Sequence, residues 1–210
     1  MYNPSDLNHL RETAQAREWG ESQVILTRLL LGLDFYAGLE IGLARAHTHL
    51  PLFEAQHPEA VWARQLLVGI VSYGTAPEML PPAAYDSYPS PGASNFITAV
   101  MELVRSVERK TLLENRIRFV ANALVNILLA ELAAYWYGQH PAAWEDQRQH
   151  GDEVDSETGL MVRQRIQARF WLDGEVARRD TAAWLALADT LETNGASHNE
   201  NSAILSVKAW

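Results

Sequence analysis

The amino-acid sequence predicts an all-α protein. The run from Asn95 to Gly138 has no proline and no internal glycine, and its apolar residues recur at helical spacing. A second run, from about 21 to 49, is apolar around most of its helical circumference. The 210 residues are 48% hydrophobic and 20% charged, which is typical of a globular chain. We predict an irregular bundle of about six helices in which residues 95–138 form one very long helix.

The first helix is predicted from Ser5 to Trp19. Ser5 or Asp6 can cap it, because a side-chain oxygen at this position accepts an otherwise unpaired amide proton. Gly20 is expected to end it.

The second helix is predicted from about Glu21 to His49. It stops before Pro51, which lacks the N–H that would continue the helix. Gly38 and Gly42 lie four residues apart on one face, and each costs up to ~1 kcal/mol relative to alanine. We expect close packing against another helix, in this chain or in a second copy, to offset that cost.

A third helix is predicted from Pro58 to Tyr73, because proline is tolerated in the first turn of a helix. The long loop that follows, residues 74–94, contains five prolines. Loops longer than about 12–15 residues are usually functional or disordered. Tyr85 and Tyr88 make this loop a candidate partner-binding segment in an extended, polyproline-like form.

The very long helix is predicted to begin at a Ser94 cap. Its polar residues step by three or four and therefore form one stripe, which comprises Glu108, Thr111, Asn115, Arg118, Asn122 and Asn126. Residues 127–137 are apolar except for Glu131, so this end of the helix is expected to be buried. The polar cluster 108–111 interrupts the apolar stripe, and we expect a bend or a solvent-exposed stretch there.

The C-terminal part is predicted to contain three more helices, separated by an acidic loop and covering residues 141–150, 157–172 and 180–193. Asn194-Gly195 is a helix stop signal. We therefore divide the chain into one helical domain, 1–194, and a mobile linker with an apolar tail, 195–210.

The apolar tail is a second candidate partner-binding segment. Ile204, Leu205 and Trp210 would expose apolar area to water if the tail were free, which costs about 25 cal/mol per Å². We expect the tail to dock on its own bundle or on a partner, with Trp210 as the anchor, although many chain ends simply fray. The hydrophobic core is predicted to rest on six residues: Leu29, Leu33, Tyr36, Leu124, Leu128 and Leu132.

Residue patterns that support catalysis are missing from the sequence. There is no cysteine, no HExxH motif, no pair of ExxH motifs of the kind that a di-iron bundle places on facing helices, no Gly-x-Ser-x-Gly elbow, and no phosphate-binding glycine loop. His47, His49, Glu54 and His57 lie close in sequence, but side chains at i and i+2 of a helix diverge, so we interpret them as polar residues at a helix end. We predict no catalytic residues, no metal, no cofactor and no enzymatic activity.

Arg118, Asn122 and Asn126 support two interpretations. They can line a small-molecule pocket inside the bundle, since buried amides need partners. Alternatively they bind neighbouring backbone or face solvent, and we favour this second interpretation.

Charge gives a further clue. The net charge of −9 argues against a free-standing nucleic-acid binder. Ten of the 17 cations nevertheless fall in two short windows, and guanidinium groups match phosphate geometry. The candidate phosphate or nucleic-acid contacts are Arg105, Arg109, Lys110, Arg163, Arg165 and Arg169. We predict that they form one positive face, although alternating solvated helix faces give the same pattern.

These features favour an interaction or assembly subunit of a larger complex that binds a protein partner or forms a homo-oligomer. The alternative is a helical accessory subunit of a nucleic-acid-handling complex, and a third hypothesis is an enzyme or sensor with a pocket between helices. The N-terminal residues lack the pattern of a signal peptide, so we expect a cytoplasmic protein. Charges interrupt the apolar run 21–49, so we expect no membrane contact.

Overall fold

The computed structural model describes residues 3–73, 88–150 and 157–207, with side chains up to Gly195 apart from those of Tyr73 and Thr158. Within these ranges all regular structure is helical, which confirms the all-α prediction. The helix count differs, because these ranges contain nine helices rather than six. They are α1 (Pro4–Ala16), α2 (Trp19–Gly32), α3 (Phe35–Gln56), α4 (Trp62–Tyr73), α5 (Ala93–Ser106), α6 (Leu113–Gln139), α7 (Pro141–His150), α8 (Glu157–Leu172) and α9 (Gly174–Val207).

The ends of α1 differ from the prediction. Asn3 is the cap, and its Oδ1 accepts from the Ser5 amide at 3.1 Å. The helix ends at Ala16 and not at Gly20, and the residue that follows it, Arg17, has a left-handed φ of 61°. A tertiary contact favours this early end, because the Arg17 guanidinium donates to the Trp171 carbonyl at 2.8 Å.

The second predicted helix is two helices, α2 and α3. They separate at Leu33 and Asp34, and the Asp34 side chain accepts from the Tyr36 amide at 2.9 Å. The predicted stop at Pro51 is wrong, because Pro51 lies inside α3. An internal proline costs about 3 kcal/mol. Burial of Leu50 and Phe53 on either side of it offsets this cost.

The predicted single long helix is wrong, because residues 93–139 form a helical hairpin. Asn95 of α5 donates to Asn126 of α6 at 3.3 Å, whereas Arg116, early in α6, reaches the carbonyl of Val107 at 3.4 Å. These pairings make the two helices antiparallel. The turn falls at 107–112, where the polar cluster interrupts the apolar stripe. A hairpin lets α5 bury its apolar side on α6, which a continuous helix could not do.

Helix α6 is the centre of the bundle and packs against α5, α3 and α2. By length and composition alone it could also cross a membrane, but the core helix of a bundle has the same properties. Of the six predicted core residues the five leucines are buried, whereas Tyr36 is 59% exposed. A Cβ on Gly42 would lie 2.9 Å from Leu103 Cδ2, so the predicted close packing occurs within this chain.

Helices α7 and α8 have the predicted bounds, but α9 does not. Asp173 Oδ1 caps α9 by accepting from the amides of Glu175 and Val176 at 2.9 and 3.0 Å. The backbone stays helical through Asn194 and Gly195 to Val207, so the predicted stop is wrong. Asn194 instead donates to the Thr190 carbonyl one turn earlier, at 2.8 Å.

A buried carboxyl connects α9 to the start of α2. Asp180 of α9 is 1% exposed and accepts from Trp19 Nε1 at 2.9 Å. The Trp19 ring lies 5.4 Å from those of Trp171 and Trp184. Burial raises the pKa of Asp180, while the bond from Trp19 and the charge of Arg17 act against that rise.

Candidate functional site

A group of exposed apolar residues lies at the turn between α5 and α6. Leu112 and Leu113 are 73% and 57% exposed there. Tyr36 lies at the same end, because its neighbour Phe35 packs 5.2 Å from the guanidinium of Arg116. We call Tyr36, Leu112 and Leu113 the hairpin-tip surface.

Leu112 occupies a position that normally takes a polar residue. It is the N-cap of α6, with φ −61° and ψ 145°, and it makes no side-chain capping bond. The first amides of a helix have no acceptor within the helix, so serine, threonine, aspartate or asparagine is preferred there. Leucine at this position therefore forgoes a cap and also exposes apolar surface. Neither property stabilises the folded chain.

Charges of both signs surround the hairpin-tip surface. Arg105 pairs with Glu102 at 2.9 Å, and the other charged residues on the turn are largely exposed. The local cations are Arg105, Arg109, Lys110 and Arg116, and the local acids are Glu108, Glu114 and the buried Glu102. An apolar centre with a mixed polar rim is typical of a protein–protein interface, whereas a phosphate-binding surface needs a dominant positive charge.

The two arginine windows lie at opposite ends of the hairpin. Arg163 lines a groove together with Gly92 and Asn95, which are at the start of α5, whereas Arg105 is at its end. Arg165 pairs with Asp146 at 3.0 Å, and Arg169 is exposed on α8. This placement does not support the prediction that the windows form one positive face.

The other candidate partner-binding residues are placed as follows. Tyr85 and Trp210 lie outside the described residues, as do the side chains of Ile204 and Leu205. Tyr88 is half-buried, and its hydroxyl accepts from Trp62 Nε1 at 2.8 Å. The Tyr88 ring packs on the core, so Tyr88 is not an exposed docking residue.

The histidines are held in different surroundings. His49 is buried 4.9 Å from the Phe96 ring, and burial together with Arg45 lowers its pKa to about 4, so it stays neutral near pH 7. His57 instead lies 2.6 Å from Ser90 Oγ. In the described part of the chain no group of three or more metal-binding side chains converges.

The asparagine stripe makes contacts within the protein. Asn122 Oδ1 accepts from Gln23 at 3.0 Å, and Asn126 donates to the Asn122 carbonyl at 2.9 Å. Arg118 donates to Asn115. The bond from Gln23 links α2 to α6, whereas the other two lie within α6. Arg118 and Asn122 line an open groove of about 560 Å³ between these helices.

Comparison with protein-family models, with curated proteins and with solved structures gives no match for this chain. The sequence interpretation missed Tyr36, Leu112 and Leu113 as site residues. The signal for the leucines was present, because a Leu-Leu pair directly after the polar cluster 108–111 begins a helix without a capping residue.

Proposed function

We propose that the protein is an interaction subunit that binds a partner protein through its hairpin-tip surface. The observation that supports this function most strongly is the exposed leucine at the N-cap of α6, followed at once by a second exposed leucine. Full burial of one leucine side chain contributes about 1.5–3 kcal/mol. The two leucines together can therefore supply a substantial part of a binding free energy.

The chemistry of the surface defines the partner. The centre of the partner's site should be apolar, to cover Leu112, Leu113 and Tyr36. Its rim should offer both acids and bases, to meet Lys110 and Glu114, which are both exposed. A second copy of this chain and a different protein both meet this description.

The alternative function, contact with nucleic acid through arginine windows, gains no support from the placement of the two windows. Phosphate contacts would make the affinity fall steeply with salt. Salt-dependent binding of an oligonucleotide, lost when Arg163, Arg165 and Arg169 are neutralised together, would favour this alternative.

The proposed function is tested by quantitative pull-down from the source cells with the unaltered chain and with Leu113→Ser. Leu172→Ser is the matched control, because Leu172 is 83% exposed at the end of α8, away from the hairpin tip. We expect Leu113→Ser to lose a partner that Leu172→Ser retains, and sedimentation of the pure chain identifies self-association. Equal recovery of every partner, with the same oligomeric state, would contradict the proposal.

A further inference from the structure

A serine and a histidine meet outside the hairpin-tip surface. His57 follows the last turn of α3, and its amide donates to the Phe53 carbonyl at 2.9 Å. Its side chain is 8% exposed and packs 5.2 Å from the Phe53 ring and 4.9 Å from the Tyr88 ring. His57 Nε2 lies 2.6 Å from Ser90 Oγ. The imidazole is therefore held in one orientation beside the hydroxyl.

A carboxylate lies on the other side of the imidazole. Glu59 Oε1 is 3.6 Å from His57 Nδ1. A nearby carboxylate favours the tautomer with its proton on Nδ1, which leaves Nε2 to accept the Ser90 hydroxyl proton. This arrangement of hydroxyl, imidazole and carboxylate is the one that activates a serine nucleophile.

The backbone fixes Ser90 in place. Its carbonyl accepts from the Ala93 amide at 3.1 Å as the chain enters α5. Gly92 in this turn has a φ of +80°, and a Cβ there would lie 2.5 Å from the Ala130 carbonyl oxygen. The turn thus packs directly on the α6 backbone. A nucleophile on such a rigid support keeps its geometry when a substrate binds.

Ser90 opens onto a groove of about 480 Å³, which is within the range of small-molecule sites. Tyr137 and Trp144 line it, with their rings 5.1 Å apart, and Gln167 adds a polar group. Ser94 and Asn95, in the first turn of α5, line the same groove. Amides in a first turn have no acceptor within the helix and can stabilise a developing oxyanion.

We propose that Ser90 is a nucleophile that hydrolyses small carboxylic esters, with His57 as its general base and Glu59 as a positioning residue. Ser90 Oγ bonds to the carbonyl carbon while its proton passes to His57 Nε2. The ester C–O bond then breaks, and the alcohol leaves with that proton. Water attacks the acyl-serine, gives a proton to His57, and the acid departs as Ser90 recovers its proton.

The tyrosine and tryptophan of the groove define the substrate further. Their faces suit an apolar or aromatic group beside the reacting carbonyl. No local motif in the sequence signals this site, because Ser90 and His57 are 33 residues apart and meet only in the folded chain.

The test is covalent labelling of the full chain by a biotin-tagged alkyl fluorophosphonate. In this reaction the Oγ–P bond forms, the P–F bond breaks, fluoride leaves, and the serine proton passes to His57. We expect labelling of the unaltered chain, located on Ser90 by mass spectrometry. Ser90→Ala should abolish it, and Ser72→Ala, which alters an exposed serine on α4, should not.

His57→Asn should slow labelling at least 100-fold, since general-base catalysis contributes about 10²–10⁴. Glu59 is 65% exposed, so Glu59→Gln should slow labelling at an unchanged melting temperature; an unchanged rate would remove its positioning role. If His57→Asn does not fold, the comparison of the unaltered chain with Ser90→Ala still decides whether Ser90 is the nucleophile. No labelling of the unaltered chain, or equal labelling of Ser90→Ala, would overturn the proposal and leave the hydrogen bond as a brace.

Discussion

Replacing Leu112 with serine should stabilise the chain while it weakens binding to the partner. Serine at an N-cap is worth about 1 kcal/mol more than an apolar residue, because its hydroxyl accepts an unpaired amide of the first turn. Leu112 is already 73% exposed, so the loss of its remaining burial costs roughly 0.5 kcal/mol. The net gain of roughly 0.5 kcal/mol corresponds to a rise of roughly 1–2 °C in a chain of this size.

The same substitution removes the apolar area that the partner would cover. Burial of the exposed three-quarters of a leucine is worth roughly 1–2 kcal/mol, so the affinity should fall by about tenfold. Calorimetric melting and titration of the purified partner measure the two effects separately. The control Leu172→Ser should leave the affinity unchanged. A lower melting temperature would refute the capping argument, and an unchanged affinity would refute the assignment of Leu112 to the interface.

Three further substitutions test the fold. Leu128→Ala should lower the free energy of unfolding by about 2–5 kcal/mol in denaturant titrations, because Leu128 is 2% exposed in the central helix; an unchanged melting temperature would contradict its burial. Asp180→Asn should raise the melting temperature at pH 7, because it keeps the acceptor for Trp19 and removes a carboxylate whose pKa is raised by burial. This gain should shrink as the pH falls through the raised pKa and Asp180 itself becomes protonated. Gly92→Ala should destabilise the chain by more than about 2 kcal/mol through its left-handed φ and its clash with α6, while Gly20→Ala, with open space around it, should stabilise α2 by up to about 1 kcal/mol.

The sequence predicted the helical class better than it predicted where individual helices begin and end. Helical periodicity is a local property, so the all-α class and the bounds of α7 and α8 could be found from it. The polar cluster 108–111 indicated where the helix is interrupted, but the complete reversal of the chain could not be predicted, because it depends on the free energy gained when α5 folds back on α6. The same limit applies to Pro51, since burial of Leu50 and Phe53 keeps α3 intact where local propensity favours a stop.

The candidate sites depend even more on tertiary structure. Tyr36 was predicted in the core because helical spacing gives the spread of apolar positions around a helix but not which of them another helix covers. The pairing of Ser90 with His57 has no sequence signal, since it joins the end of α3 to the start of α5. Only Leu112 could have been found in advance, as a helix start that lacks a capping residue.

The hairpin-tip surface and the Ser90 groove lie at the two ends of α5, which spans Ala93 to Ser106. At 1.5 Å per residue this separation is about 20 Å, and changes more than about 7–10 Å apart with no shared partner act independently. A substitution at Leu112 should therefore leave Ser90 labelling unchanged, and Ser90→Ala should leave partner binding unchanged. The two sites are connected by the packing of α5 on α6. A variant that changes both Ser90 labelling and partner binding has therefore disturbed this packing and tests neither site. The two hypotheses can thus fail separately, and the behaviour of each variant at the opposite end shows whether its result can be interpreted.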